Sequence, residues 1–209
     1  MDKLSVLVFG AGAIGSYIGG SLAAQGHRVV FMDRKEMVPK IQRSGIRVQK
    51  NNGDWINIAE PIIRDNLASV LQDEKFDFSI LAIKSYDTDN ALAEWQPFYA
   101  QLPPILCFQN GVENEVKLRN KLGIEKVIAG TVTTAIGKKE NAVIVERLRG
   151  LGIHSQGKLT QRIFQAMQIA DLKPVLFADA DAMKWTKMMT NLVANASSAI
   201  LSMTPSEIL

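Results

Sequence analysis

Two patterns in the chain hold residues whose types and spacing suit chemistry. The first is Gly10-Ala11-Gly12-Ala13-Ile14-Gly15, a G-x-G-x-x-G string that follows a short apolar run and opens a helix-period segment. In that setting Gly10 allows a tight turn, Gly12 lets the backbone approach a pyrophosphate, and Gly15 permits close helix–strand packing. Free N–H groups and the dipole at the helix start would hold the phosphates. A glycine turn without a ligand is the plain alternative. The second pattern is Lys187, Asn191 and Asn195, spaced i, i+4, i+8. Successive members drift by only about 40° at 3.6 residues per turn, so they form one polar stripe, which Lys184 and Ser198 extend. Such a row on an otherwise apolar helix either faces solvent or lines a polar cleft, where carboxamides serve recognition.

Other candidates lie at strand ends. Asp33 and Arg34 follow the second apolar run. A carboxylate there would hold a ribose diol, as in NAD sites, whereas an arginine would accept the 2′-phosphate of NADP. Residues 34–50 carry Arg34, Lys35, Lys40, Arg43, Arg47 and Lys50 against the single acid Glu36, which favours NADP over a merely solvated basic face. Lys84 ends another apolar run and either reaches a phosphate or substrate anion or is a surface lysine. Asn110, before Gly111, is either a hydrogen-bonding partner for cofactor or substrate, or plain turn chemistry. Cys107 reads as a small core residue. His27, in a helix-to-strand turn, and His154, in a glycine-flanked loop, have no plausible partner and are assigned no catalytic role.

These residues need a scaffold, and the composition allows an ordinary one. The 209 residues suffice for one domain, or one plus part of a second. A hydrophobic fraction of 47% with 22% charged residues excludes a disordered or collagen-like chain. A net charge of +3 is too mild to mark a nucleic-acid binder. The single cysteine cannot form an intrachain disulfide and argues for a reducing compartment. The start does not read as a secretory signal, and no apolar stretch approaches the ~20 residues of a membrane span. A soluble, cytoplasmic protein is expected.

Short apolar runs alternate with helix-period segments. Strands are expected at 4–9, 28–32, 78–83, 104–108, 127–135 and 175–177, and helices at 13–25, 35–44, 87–101, from after Gly111 to 122, and at 159–170. Residues 46–49 and 55–58 flank Asn51-Asn52-Gly53-Asp54, a hairpin signal. A turn at 137–141 precedes a strand at 143–146. This alternation argues for βαβ units and a parallel sheet with helices on both faces. From Ala180 to Ile200 the chain lacks Gly and Pro and reads as one long helix, apolar nearly all round. Such a helix needs cover on most sides.

Taken together, Gly10 to Gly15, Gly26-His27-Arg28-Val29, Lys84-Ser85, Gln109-Asn110-Gly111-Val112 and the K-x-x-x-N-x-x-x-N of Lys187, Asn191 and Asn195 resemble the ketopantoate reductase (2-dehydropantoate 2-reductase) family. The likeness runs over essentially the whole chain, and its last two motifs are far more specific than the glycine loop. It implies an α/β fold, a Rossmann-type doubly wound parallel sheet at 1–178, followed at 179–209 by the first helix of an incomplete C-terminal helical domain. It implies NADPH-dependent reduction of 2-dehydropantoate to pantoate, a step towards pantothenate and coenzyme A. Lys187 would be the general acid, and Asn191 and Asn195 would orient the substrate. Asn110 and Lys84 would line the cofactor and substrate cleft, Arg34 would hold the 2′-phosphate, and the glycine loop the pyrophosphate.

The family also uses a serine and a glutamate from its helical domain. No residue here matches them, and Glu207 is not assigned. The expected partner is a small 2-oxo acid, with no nucleic acid and no membrane, and the uncovered last helix is a candidate homodimer surface. The alternatives are a non-catalytic NADP-binding module, an inactive truncated paralogue, or a related 2-oxo acid reductase with another substrate.

Overall fold

The computed structural model describes residues 2–192, 196–203 and 207. The first unit is β1 (Ser5–Phe9), α1 (Ala13–Ala24) and β2 (Arg28–Met32), followed by α2 (Val38–Ser44). The hairpin β3 (Ile46–Gln49) and β4 (Trp55–Ile58) forms where its turn signal stands. Next come β5 (Ile62–Arg64), α3 (Leu67–Asp73), β6 (Phe78–Leu81), α4 (Thr88–Trp95), β7 (Ile105–Cys107), α5 (Asn114–Leu122) and β8 (Val127–Val132). The chain continues through β9 (Ala135–Lys139), β10 (Ala142–Arg147), β11 (Leu151–His154), α6 (Lys158–Ile169), β12 (Pro174–Phe177), α7 (Ala180–Asn191) and α8 (Ser197–Leu201).

Eight strands form one sheet in the order β12-β11-β8-β7-β6-β1-β2-β5. From β5 to β8 every neighbouring pair is parallel, and β11 closes antiparallel on β8. The parallel part is the doubly wound sheet expected, with the reversal of strand order between β1 and β6. Strands β6, β7 and β8 are buried along their whole length because both faces are covered, which is why they read as unbroken apolar runs. One face packs with Leu92 and Trp95 of α4 and Leu118 and Leu122 of α5. The other packs with α1 and α6.

A second sheet, β4-β3-β10-β9, lies across α1. Helix α1 is therefore enclosed by two sheets, and Gly15 to Leu22 are all buried. Its glycines are places of close approach. A Cβ at Gly19 would meet the Phe31 ring at 2.7 Å, and one at Gly20 would meet Ile46 of the small sheet at 3.3 Å.

Several expectations need correction. The strand expected over 127–135 breaks at Thr133-Thr134, where the chain leaves the large sheet for the small one. Gly137 lies inside β9, and the turn is confined to Glu140-Asn141, the last two residues of the expected span. The helix expected from 35 starts at Val38, and that at 87–101 ends at Trp95 before a short 3-10 turn containing Pro97. His154 ends β11 rather than sitting in a loop; the strand carries Gly152 because Met183 of α7 passes over it. The short β5 and α3 went unread, although Asn66 caps α3 by accepting from the Ser69 N–H at 3.0 Å. Of the single helix expected over 180–200, α7 covers Ala180–Asn191 and α8 covers Ser197–Leu201, and residues 193–195 lie outside the described residues.

Candidate functional site

Parallel strands place all their carboxyl ends on one edge of the sheet. The glycine loop leaves β1 there, with Gly10 at φ 92° and a would-be Cβ 3.0 Å from Ile83 at the end of β6. A Cβ at Gly15 would run into the Gly10 carbonyl oxygen, so helix and loop pack as closely as backbones allow. At Gly12 no atom lies within 4 Å of the Cβ position. Among the described residues no side chain caps the first turn of α1, whose N–H groups face that open space. The loop thus has the shape and donors to cradle a pyrophosphate.

Asp33 is turned into this loop. Its carboxylate accepts from Ala11 N–H at 2.7 Å and Arg34 N–H at 2.8 Å, bonds that fix the loop against β2. Arg34 points into solvent, with only a loose 3.5 Å ion pair to Glu36. Lys84 is exposed just past β6.

Two strands along the same edge lies a cleft of about 190 Å³ between the ends of β7 and β8 and helix α7. Asn110, Thr131, Lys187 and Asn191 all line it. The structure therefore brings Lys187, Asn191 and Asn110 together, about 10 Å across two strand spacings from the glycine loop. Asn195 lies outside the described residues. Asn110 also satisfies the turn reading: Gly111 adopts φ 95°, and the Asn110 carbonyl accepts from Asn114 Nδ2 at 2.8 Å. Lys187 is half-buried, and desolvation, followed by the charge of Arg149, lowers its pKa below the usual lysine value.

The polar stripe on α7 divides. Lys184 lines the cleft with the others, but it is only 6% exposed and its ammonium serves as the anchor of the helix. Its ammonium lies 2.7 Å from Glu115 Oε1 of α5, and donates to the Gln109 carbonyl at 2.7 Å and the Gly130 carbonyl at 3.3 Å. Gln109 in turn spans two strand ends, donating from Nε2 to the Ile83 carbonyl at 3.1 Å and to Thr88 Oγ1 at 2.9 Å. Cys107 is buried beside it, and burial pushes its thiol pKa up. Sequence reasoning missed Lys184, Glu115 and Gln109 as the frame of the cleft; Glu115 stands two residues after Glu113 at the start of α5, and nothing local distinguishes the two. His27 does have a partner, accepting from Leu4 N–H at 3.0 Å, which makes it a structural link.

Trp185 and Met189 of α7, Leu192 just after it and Ile200 of α8 are exposed. Among the described residues no helix is long and apolar enough to cross a membrane.

Strand order, glycine loop and cleft define a Rossmann-type α/β protein with a built dinucleotide-style edge. The family model of ketopantoate reductase PanE/ApbA matches residues 6–160, and the chain belongs to that family. It is similar to the 2-dehydropantoate 2-reductase of Pyrococcus horikoshii, 28% identical over 203 residues, covering 95% of this chain and 64% of that protein. It also resembles an uncharacterised oxidoreductase of Bacillus subtilis, YkpB, 29% identical over 127 residues, with 61% of this chain and 40% of that one covered.

Among solved structures, a PanE/ApbA family ketopantoate reductase from Ralstonia eutropha superposes with a TM-score of 0.80 at 26% identity, over 95% of this chain and 65% of that one. A D-mandelate dehydrogenase solved with NADH and anilino(oxo)acetate shares the fold, with a TM-score of 0.78 at 21% identity. The chain spans 64% of the length of the first of these relatives.

Proposed function

We propose that this chain carries the cofactor cleft and proton donor of an NADPH-dependent reductase of 2-oxo acids, with 2-dehydropantoate as substrate and pantoate as product. The observation that carries the reading is the meeting of Lys187, Asn191 and Asn110 in one cleft on the glycine-loop edge of the sheet. In this reading the N–H groups around Gly12 bind the pyrophosphate, Arg34 binds the 2′-phosphate, and Lys84 lies along the cofactor path. When bound, the reduced nicotinamide supplies the hydride. The chain's own part is to hold the ketone and protonate its oxygen.

As negative charge grows on that oxygen, the Lys187 ammonium stabilises it and delivers the proton. The lowered pKa of Lys187 makes it a stronger acid, which favours the transfer. Asn110 and Asn191, joined by Asn195 in this proposal, orient the substrate's oxygens. The reading also takes residues 1–178 as the nucleotide-binding unit and 179–209 as the opening of a helical unit, and it places the protein in the cytoplasm. The exposed apolar side chains of α7 and α8 support the helical-unit reading and form a candidate surface for a second copy.

The test is NADPH oxidation followed by absorbance with 2-dehydropantoate. Lys187→Ala is expected to lower kcat by about 10²–10⁴-fold while leaving NADPH affinity near wild type. Unchanged turnover in that variant refutes the role of Lys187.

A further inference from the structure

The polar side chains that line the cleft fall into two groups. Gln109 and Lys184 are tied into the protein, through Ile83, Thr88 and Glu115 and the carbonyls of Gln109 and Gly130. The side chains of Asn110, Thr131, Lys187 and Asn191 have no hydrogen-bond or ion-pair partner among the described residues. Three of these carry a role in the proposed reaction. Thr131 carries none, and of the four it alone is buried, at 6% exposure.

The strand fixes where this side chain goes. A Cβ at Gly130 would meet the Phe108 ring, in the core shared with α1 and α6, so Thr131 projects from the opposite face, toward α7. Thr131 pairs with Gly152 of β11, and a Cβ at Gly152 would lie 2.8 Å from Thr131 Cγ2. The methyl thus fills the space a side chain at Gly152 would take, which leaves the hydroxyl as the polar group Thr131 brings to the cleft. Lys184 steadies the strand at this point by donating to the Gly130 carbonyl at 3.3 Å. A hydroxyl this deep without a partner lowers stability, and valine has the same shape, a high strand preference and two places in β8 already, Val127 and Val132. Threonine at 131 is unfavourable for the empty fold and becomes favourable when a ligand completes its hydrogen bond.

We propose that the Thr131 hydroxyl is a further binding group of the cleft and donates a hydrogen bond to an oxygen of the bound 2-oxo acid. The inference deepens the reductase reading and rests on it for the identity of the acid. Lys187 and Asn191 stand on α7, whereas Asn110 and Thr131 stand at the strand ends that form the facing wall. An acid gripped from both walls is held in one orientation, with its ketone oxygen at Lys187, which is what proton transfer to that oxygen requires.

The probe is sodium oxamate, a stable 2-oxo acid mimic, titrated calorimetrically into the NADPH-bound protein. Thr131→Val keeps the shape and removes the hydroxyl. It is expected to weaken oxamate binding roughly 3- to 10-fold, with Tm at or above wild type and NADPH Kd unchanged, and to raise KM for 2-dehydropantoate more than it lowers kcat. Thr131→Ser keeps the hydroxyl and loses the methyl that packs at Gly152. It should show the opposite pattern, with most of the oxamate affinity retained and Tm lower by roughly 2–4 °C. Wild-type oxamate affinity in Thr131→Val overturns the proposal. So does a lowered Tm in Thr131→Val with binding intact, which would make the hydroxyl structural. A loss confined to NADPH affinity would give the hydroxyl to the cofactor and also overturns it, as does a wild-type protein that ignores oxamate. Oxamate binding that depends on the Thr131 hydroxyl in a protein unable to oxidise NADPH upholds the acid site and removes the reductase reading instead.

Discussion

Replacing Lys184 by methionine removes the ammonium that joins α7 to the sheet edge and leaves Glu115 unpaired. Both side chains are almost sealed from water, at 7% and 5% exposure, and their charged atoms are 2.7 Å apart. An ion pair this buried gains little over a well-packed apolar pair, because desolvation offsets much of its attraction. Breaking it from one side is another matter: a charge left alone in a dry site costs about 3–5 kcal/mol. For a chain of this size the expected fall in Tm is roughly 6–20 °C. Glu115→Leu should cost a similar amount, since Lys184 would keep only the Gln109 and Gly130 carbonyls.

The double variant Lys184→Met/Glu115→Leu leaves no charge behind. Its remaining deficit is two carbonyls without a donor, about 1–3 kcal/mol. It should therefore be more stable than either single variant, with a coupling energy of at least about 3 kcal/mol across the cycle. Urea unfolding of the four proteins, followed by far-UV circular dichroism, measures this directly. A coupling below about 1 kcal/mol, or a double variant as unstable as the two singles combined, would refute the account of a dry, mutually dependent pair.

Three further outcomes test other parts of the structure. Gly12→Ala meets no protein atom and should fold with wild-type Tm while losing NADPH affinity, whereas Gly15→Ala collides with the Gly10 carbonyl and should lose stability; equal effects on both properties in both variants would contradict the cradle. Arg34→Ala is expected to weaken NADPH by about 10-fold and leave NADH unaffected, since the exposed guanidinium can pair with a 2′-phosphate; fluorescence titration showing equal losses for both cofactors argues against that assignment. His27 is held neutral, its pKa lowered chiefly by burial and then by Lys3, while its ring nitrogen accepts from Leu4. The unfolded histidine therefore takes up a proton first, so stability should decline as pH falls from the ordinary histidine value of about 6.5 toward the depressed folded one. A His27→Phe variant with the same urea-midpoint profile as wild type would show that His27 contributes nothing to it.

The parallel sheet was legible because its strands carry their own boundaries. Strand β2 and the β3–β4 hairpin fall on the expected residues, one bounded by Gly26-His27 and Asp33, the other by an Asn-Gly turn. What escaped notice depended on partners distant in sequence. Strand β5 is three residues long and exists because β2 offers an edge. Strand β11 contains Gly152, which breaks the apolar pattern so that Met183 can pass. Nothing local announces either. The break at Thr133-Thr134 is similar: two β-branched threonines look like more strand, and only the Gly150 carbonyl on the other side of the crossover ends it.

The cleft shows the same division more sharply, within one turn of helix. Lys184 and Lys187 are the same residue type, three positions apart on one face, and spacing alone gives them one role. Their fates differ because Glu115, 69 residues before Lys184 in the chain, reaches one and not the other. A buried carboxylate turns Lys184 into an anchor with its charge fully used. The absence of such a partner among the described residues leaves Lys187 partly desolvated, and burial first and the charge of Arg149 second lower its pKa. A helical period can point to the face of a helix that meets a site. Which of two lysines on that face is free to give up a proton is decided by the opposite wall, and that wall is built from strand ends that only the fold brings together.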